Sequence, residues 1–410
     1  MKGSCIVLQS GGPTAVINAS LYGVLKQAKK SNSITKIYGS LNGIYGVINK
    51  SLIDLANQKD EEIELLKATP GAILGSARLC LPEDQSNEIY QQILDTLVKL
   101  NVRYMFLIGG NDSMDTANKL SKFLKKVNYE CNVFGVPKTI DNDLSATDHS
   151  PGYGSAIKYV GNVFAEMKED ISCYKEGKVT IIEVMGRDAG WITAGSKLAC
   201  LNGKGPDLIY LPEVTFDYDR FLQEVSEIYK KQRHAVIAIS EGIKDTDGNY
   251  VLNKLIKDNN DDLFGHTQLG GAAAVLATLV KQQLRLPVRN VELNLPQRCA
   301  SHIVSLSDVK EAIKCGEFAV KFALKGITGK MVAMKRISNN PYKISYTYVD
   351  LDEIANKVKE FPQSWIVNDN DISQEFIEYA LPLIKGENKA NYQSGIVRFS
   401  KLDKTNVKLD

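Results

Sequence analysis

The sequence predicts an α/β protein of two doubly wound, parallel-sheet lobes followed by a small C-terminal appendage. Three observations carry this expectation. Short apolar runs such as Cys5–Leu8, Tyr104–Ile108, Lys178–Val184 and Ala235–Gly242 alternate with longer stretches of helical periodicity, the order of strand–helix–strand units on a parallel sheet. Two of the strands run straight into paired glycines, Gly11-Gly12 and Gly109-Gly110, each followed by a helix. Charged and polar residues gather just past strand ends, where ligands bind in such sheets.

Taken in order, Cys5-Ile6-Val7-Leu8 is a buried strand, and Val16, Ile17, Ala19, Ser20, Val24, Leu25 and Ala28 mark the face of the helix after it. The turn between them either lets backbone amides approach an anion at the helix start or answers a purely steric need for glycine. No Walker A sequence and no G-x-G-x-x-G occurs, which excludes a P-loop enzyme or a dinucleotide site by fingerprint. Ile37–Leu41 is the second strand, and Pro70–Arg78 is a glycine-punctuated loop ending in a base. Ile89–Leu100 is helical. Tyr104–Ile108 is a strand buried on both faces, and Gly109-Gly110-Asn111-Asp112-Ser113 opens the next helix. Asn132-Val133-Phe134 ends a further strand. Ser150-Pro151 reads as an N-cap and first-turn proline, ahead of a buried stripe through Ile157, Val160, Phe164, Met167 and Ile171. A second lobe begins with the strand Lys178–Val184, which ends in Met185-Gly186-Arg187. Asp207–Glu213 and Ala235–Gly242 are strands, and Phe221–Tyr229 is a helix. Asp258–Asp262 is a solvated acidic loop, and Leu269–Leu284 is a buried helix. Val291–Leu295 leads to Gln297-Arg298. Lys330–Ile337 and Ile344–Val349 are strands, and one helix spans Gln374–Ile384 in an otherwise polar, Asn-rich tail.

The chain has 410 residues, enough for two or three domains. Its 44% hydrophobic and 24% charged residues are ordinary for a soluble globular protein. A net charge of +2 gives no expectation of nucleic acid or an anionic membrane as partner, so any phosphate recognition must come from local clusters. No apolar run approaches the roughly 18 residues of a membrane span. The first strand follows Met1–Ser4 too closely to leave room for a signal-peptide core. The seven cysteines are scattered without a C-x-x-C pair, which argues for reduced thiols and a cytoplasmic location. The four histidines, His149, His234, His266 and His302, are isolated and argue against structural zinc.

The stretch Gly135–Asp143 carries the strongest chemical signal. Pro137 removes a backbone donor just past a strand, and Lys138, Thr139, Asp141 and Asp143 come at once after it. Asp141 and Asp143, two apart, point the same way in an extended segment. Their charges repel unless a base such as Lys138 or a magnesium ion joins them. The alternative is a polar turn with Asp and Asn as turn formers. At other strand ends stand Gly12, Arg78, Asp112, Arg187, Glu241 and Arg298. Bases and backbone amides that hold phosphates, beside carboxylates that hold a metal or take a proton, suit phosphoryl transfer.

Six segments in order resemble the phosphofructokinase family: Gly-Gly-Pro-Thr at 11–14, Gly-Gly-Asn-Asp-Ser at 109–113, Pro-Lys-Thr-Ile-Asp-Asn-Asp at 137–143, Met-Gly-Arg at 185–187, Ser-Glu-Gly at 240–242 and Gln-Arg at 297–298. They span about the first 330 residues. The resemblance implies a phosphoryl-donor lobe over 1–150, completed by part of 305–340, a sugar-phosphate lobe over 151–305 and an appendage over 341–410. Members that use ATP have Gly at the places of Asp112 and Lys138; members that use inorganic pyrophosphate have Asp and Lys, as here. A carboxylate at 112 occupies the room and potential that the α-phosphate of ATP needs, and an ammonium at 138 suits the short, highly charged pyrophosphate.

The resemblance likewise implies a role for each candidate residue. By it, Asp141 is the general base for the 1-hydroxyl of fructose 6-phosphate, with Thr139 beside it, and Asp112 and Lys138 complete the catalytic set. Gly12, Arg78, Asp112 and Lys138 bind the diphosphate. Thr139, Ile140, Asp141, Met185, Gly186, Arg187, Glu241 and Arg298 bind the sugar phosphate. Lys178 reaches a neighbouring subunit's sugar phosphate, which makes the enzyme a homodimer or homotetramer. Asp143 and Asn111 are the Mg2+ residues, although position 111 is acidic in most members and an amide oxygen coordinates more weakly. After Arg298 only His302 offers a base up to Asp308, so a longer ketose phosphate stays open as substrate. Rival readings are an ATP-dependent kinase of the same fold, opposed by Asp112 and Lys138, and a silent sugar-phosphate-binding regulatory subunit, opposed by the presence of both Asp141 and Arg187. A lipid or dinucleotide kinase has no need of Met185-Gly186-Arg187.

Overall fold

The computed structural model describes residues 1–254, 270–355 and 357–408. The chain divides into two compact units: Met1–Ser155 with Arg298–Val358 and Lys385–Asp410, and Ala156–Gln297 with Lys359–Ile384. The C-terminal residues therefore form no appendage of their own; 341–358 and 385–410 join the first unit and 359–384 the second. Arg298, expected in the 151–305 lobe, belongs to the first unit. The expected acidic loop Asp258–Asp262 lies outside the described residues, as does Leu269 at the start of the expected helix.

In chain order the first strands are β1 (Gly3–Gln9), β2 (Ile34–Ser40), β3 (Leu52–Asp54), β4 (Val102–Gly109) and β5 (Asn132–Pro137). Next come β6 (Val179–Val184), β7 (Leu208–Tyr210), β8 (Thr215–Phe216), β9 (Ala235–Ser240), β10 (Lys244–Asp245) and β11 (Val288–Glu292), then β12 (Lys330–Asn339) and β13 (Tyr342–Asp350).

The first unit is built on a seven-stranded sheet in the order β13-β12-β5-β4-β1-β2-β3. Its five inner strands run parallel, and the two edge pairs are antiparallel. Alternate residues of β1 and β4 enter different cores: Cys5, Val7, Tyr104, Phe106 and Ile108 one, Ile6, Leu8, Met105 and Leu107 the other. Both faces are buried, which is why these strands read as unbroken apolar runs. The chain steps from β1 to β2 on one side, while β4 lies on the other, so the ends of β1 and β4 form the topological switch point. Strand β5 runs on past Phe134 to Pro137, paired with Gly109. Proline is tolerated there because the next residue supplies the donor: the Lys138 amide donates to the Gly109 carbonyl at 3.0 Å.

The strand–helix alternation leaves Leu306–Leu324 unassigned; it is a 19-residue helix packed on the helix Ile17–Ala28. Ser305 caps it, its hydroxyl accepting from the Asp308 amide at 3.4 Å. Ser-x-x-Asp ahead of an apolar stripe is the signal that marks it. The same helix corrects the expected Ser150-Pro151 cap. The next helix starts later, at Tyr153, and its first amides are met by Asp308, whose carboxylate accepts from Gly152 N and Ser155 N at 2.9 Å each.

The second unit holds a four-stranded, wholly parallel sheet, β11-β6-β9-β7. Its core joins Val179, Ile181, Ile237 and Ile239 to Phe221, Val225 and Leu276 from the helices Tyr218–Gln232 and Ala272–Gln283. Among the described residues no helix is long and apolar enough to cross a membrane.

Two glycines set how closely Ile17–Ala28 and Leu306–Leu324 approach. A Cβ on Gly23 would lie 2.0 Å from the Ile313 carbonyl oxygen, and one on Gly316 would lie 2.2 Å from that of Ser20. Alanine favours an isolated helix over glycine by about 1 kcal/mol, but here backbone would have to separate, at about 1–3 kcal/mol or more. Gly23→Ala is expected to lower the urea midpoint, and an unchanged or raised midpoint would show that the helix pair has slack.

Candidate active site

In the first unit the ends of β1, β4 and β5 place three loops together. After β1, Gly11 turns with φ +75°, and its amide donates to the Ala77 carbonyl at 3.4 Å. After β5, the Lys138 side chain turns inward, only 2% exposed, and its ammonium donates to the Gly12 carbonyl at 2.6 Å. A Cβ on Gly11 would stand 3.3 Å from Lys138 Nζ, and one on Gly12 would stand 3.2 Å from Arg298 Nη1. Bare backbone is thus what lets two cations approach this turn. Burial pushes the Lys138 pKa down to about 8; Arg298 and Arg78 push the same way, and Asp141 and Asp143 oppose them.

The loop after Lys138 is tightly built. The Thr139 hydroxyl accepts from the Asp141 amide at 3.0 Å, and its oxygen lies 3.5 Å from Asp141 Oδ2. Ile140 is buried. Asn142, fully buried, takes φ +55°, and its side-chain oxygen accepts from the Ser150 amide at 3.1 Å. The turn-former reading therefore holds for Asn142, whose left-handed backbone separates the two acids. Asp143 Oδ2 accepts from Asn111 Nδ2 at 3.1 Å. The remaining oxygens of this pair, Asp143 Oδ1 and Asn111 Oδ1, are buried and have no hydrogen-bond partner. Burial raises the pKa of Asp143 against the pull of Thr139, Asn111 and Lys138. Two orphaned hard oxygens suit a cation. Among the described residues no group of three His, Cys, Asp or Glu side chains is arranged to hold a metal without such help.

Asp112 stands exposed in the first turn of the helix Asn111–Lys126, as the helix N-terminus favours for a carboxylate. Arg78 is exposed at the end of its glycine-rich loop. That loop is held from below by two buried amides. Gln9 donates to Asn18 Oδ1 at 2.8 Å and accepts from Leu74 N at 3.0 Å; Asn18 donates to the Thr69 and Gly71 carbonyls at 2.8 and 2.6 Å.

The second unit has its own cluster at the ends of β6 and β9. The Met185 amide donates to Gln297 Oε1 at 3.2 Å and the Gly186 amide to Glu241 Oε1 at 3.1 Å. Gly186 takes φ +138°, and Ser240 Oγ donates to its carbonyl. A Cβ on Gly242 would lie 1.8 Å from the Arg187 carbonyl oxygen, so Ser-Glu-Gly and Met-Gly-Arg fit one another as backbone. Lys178 is not part of this cluster. It precedes β6, at the opposite end of the strand, and lines a cavity of about 170 Å3 with Arg289, Asp170, Tyr174, Glu176 and Thr180. Sequence reasoning overlooked Arg289; two bases at the starts of adjacent strands were its available signal. It also overlooked Asp308 and Gln9, whose polarity inside apolar surroundings becomes informative only once the topology is known.

A phosphofructokinase family model matches residues 4–291. The chain is 39% identical over 405 residues to a pyrophosphate–fructose 6-phosphate 1-phosphotransferase of Halomonas elongata, covering 97% of this chain and 96% of that one. It is also 39% identical over 401 residues to the protein of the same name from Xanthomonas campestris, covering 96% and 94%. A crystal structure of a pyrophosphate-dependent phosphofructokinase from Nitrosospira multiformis superposes with a TM-score of 0.90 at 35% identity, covering 100% of this chain and 98% of that one.

Asp148 and His149, which follow the acid-bearing loop in sequence, belong to a largely buried network of charged groups. His149, 1% exposed, is 2.7 Å from Asp148 Oδ1 through Nδ1 and 2.7 Å from Glu311 Oε2 through Nε2. Arg336 Nη2 donates to Asp148 at 2.9 Å, and the Tyr342 hydroxyl donates to Glu311 at 2.6 Å. Although burial opposes the charge, Glu311 and Asp148 raise the His149 pKa to about 9. A histidine more basic in the fold than in the unfolded chain stabilises fully below the unfolded pKa, about 6.5, and loses that contribution as pH rises through about 9. Urea midpoints are therefore expected to fall between pH 7 and 9.5 in the wild type and to change less in His149→Gln. Parallel pH profiles for the two proteins would refute a charged His149.

Proposed function

The chain belongs to the phosphofructokinase family, and we propose that it transfers a phosphoryl group from inorganic pyrophosphate to the 1-hydroxyl of fructose 6-phosphate, giving fructose 1,6-bisphosphate and phosphate, reversibly. The observation that carries this reading is the buried Lys138 ammonium on the Gly12 carbonyl, on the same short loop as Asp141, with Asp112 opening the neighbouring helix. An ammonium stabilises the phosphate that leaves when the P–O–P bond breaks. Asp112 brings negative charge where a nucleotide would need room, so the ATP-dependent alternative is disfavoured. The retention of Asp141 and Arg187 disfavours a non-catalytic regulatory subunit.

In this mechanism the sugar 1-hydroxyl attacks the terminal phosphorus in line. Asp141 takes its proton, and Thr139, bonded to the Asp141 amide, fixes the carboxylate. Gly12, Arg78 and Lys138 hold the diphosphate. Met185, Gly186, Arg187 and Glu241 hold the sugar, and Arg298 its 6-phosphate. Asn111 and Asp143, through their two unpartnered oxygens, would hold Mg2+. When bound, Mg2+ would supply positive charge against the phosphate oxygens. Lys178 and Arg289, exposed beside one cavity of the second unit, suit an anion brought by another subunit, which supports a homodimer or homotetramer. The reduced cysteines support a cytoplasmic setting.

Two outcomes test the assignment. Asp141→Ala is expected to leave fructose 6-phosphate binding nearly intact and to lower turnover by about 10²–10⁴-fold or more; near-normal turnover would remove Asp141 from the chemistry. Lys138→Gly is expected to lower pyrophosphate-dependent turnover by roughly 10²-fold or more, while Asp112→Gly admits ATP weakly and the double variant admits it better. A wild-type enzyme that used ATP well and ignored pyrophosphate would overturn the donor assignment.

A further inference from the structure

The sugar-binding loop has two ends, and they are held by different means. Its start is fixed by Gln297 and Glu241, which accept from the Met185 and Gly186 amides. Its far end, Gly190, is fixed by a residue that no motif includes. Glu213 Oε1 accepts from the Gly190 amide at 2.8 Å and from the Phe361 amide at 3.2 Å. The Glu213 carbonyl also accepts from Gln363 Nε2 at 3.2 Å. A Cβ on Gly190 would lie 2.7 Å from Glu213 Oε2, so the two residues leave no slack between them. Glu213 Oε2 itself is buried without a partner, and burial raises the pKa of this carboxyl. A buried carboxyl is costly, and here it joins the sugar loop to the segment Lys359–Ile384.

That segment is seated on the second unit at several points. Lys197 pairs with Asp371 at 2.6 Å, the Ile209 amide donates to the Asn370 carbonyl at 2.8 Å, and Arg220 pairs with Asp369 at 2.9 Å. Immediately after Gly190, the Trp191 indole donates to the Lys359 carbonyl at 2.9 Å. Its ring lies 5.0 Å from Phe361, 6.0 Å from Trp365 and 5.6 Å from Tyr379, centroid to centroid. These are favourable aromatic geometries, and Phe361 and Phe376 are buried beneath them. The chain has two tryptophans, and both belong to this cluster.

We infer that the segment Lys359–Ile384 is a positioning element for sugar-phosphate binding, joined through Glu213 to the loop that carries Arg187. The inference rests on the reading that Met185–Arg187 binds the sugar phosphate. Glu213 touches neither substrate in this scheme. It holds Gly190, Gly190 ends the loop, and Arg187 lies between the two anchored ends. Loosening one anchor raises the entropy that binding must remove, so affinity for the sugar phosphate falls while the donor side is untouched. The same linkage makes the tryptophan cluster respond when the loop is ordered by ligand.

The test uses the full-length enzyme. Glu213→Ala is expected to raise the KM and the Kd for fructose 6-phosphate about tenfold or more, with kcat and the KM for pyrophosphate within about twofold. Glu213→Gln, which keeps the accepting oxygen, is expected to restore most of the affinity. A purely structural role would give no such split and no such rescue. In Trp365→Phe, Trp191 reports alone, and its emission is expected to change on saturation with fructose 6-phosphate but not with pyrophosphate. If Glu213→Ala proves unable to fold, this fluorescence response still decides. Equal losses for both substrates, unchanged sugar affinity in folded Glu213→Ala, or silent Trp191 emission while the sugar phosphate binds would overturn the inference and leave the functional reading standing. A wild-type enzyme that fails to bind fructose 6-phosphate would sink both.

Discussion

The buried ammonium of Lys138 is the constraint around which the first unit is arranged. Taking a charge of that kind out of water costs several kcal/mol even after relaxation, and the lowered pKa of Lys138 expresses that cost. One short hydrogen bond to Gly12 and two carboxylates further along the loop offset part of it. For the ammonium to reach Gly12, β5 must end level with β1, and the turn after β1 must carry no side chain. The register of β4 with both strands and the glycines at 11 and 12 meet these conditions. A polyanion beside the ammonium would offset more of that cost, and a compact, highly charged one the most.

A site under such strain needs a rigid foundation. Asn142 holds the left-handed turn between Asp141 and Asp143 and is itself tied to Ser150. One turn of the helix Leu306–Leu324 carries both Asp308, which meets the first amides of the next helix, and Glu311, which faces His149. The β12–β13 hairpin adds Arg336 and Tyr342 to the same network. Residues distant in sequence thus fix the loop that carries the proposed base, and the chain returns to the first unit after Gln297 to supply them.

The parallel sheets are legible in the sequence because strands buried on both faces are unbroken apolar runs, and the strand ends are legible because glycine pairs and charges interrupt them. The candidate residues of the first unit, from Gly12 to Arg298, can be read as a set because their residue types suit one chemistry. Other features are hidden for physical reasons. Leu306–Leu324 mixes Asp308, Glu311 and Glu317 into its buried face, which weakens the apolar stripe that betrays a helix. The expected end of β5 falls too early because Pro137 breaks strand propensity, yet only the amide after it is needed for pairing. The C-terminal residues read as an appendage because they are polar and cannot bury a core alone; their apolar members, Phe361, Trp365 and Phe376, complete a core that already exists.

Perturbed acidity alone would have misidentified the chemistry. Burial raises the pKa of Asp308 to about 6 and that of Glu183 to about 7, values that elsewhere mark catalytic acids. Yet both carboxylates are spent on backbone amides at helix starts: Asp308 on Gly152 and Ser155, Glu183 on Gly271 and Ala273. Their acceptors are filled, and no substrate proton has a claim on them. Asp143 differs in kind. One of its oxygens is tied to Asn111, and the other, like the Asn111 oxygen, is buried without a partner. Folding leaves such an acceptor unfilled at a cost of about 1–3 kcal/mol only where a ligand will meet it or where, as with Glu213, the opposite oxygen already serves two amides. The distinction between a structural and a functional buried acid therefore lies in which lone pairs remain open: Asp143 keeps one open beside that of Asn111, whereas Asp308 and Glu183 are spent on helix-start amides.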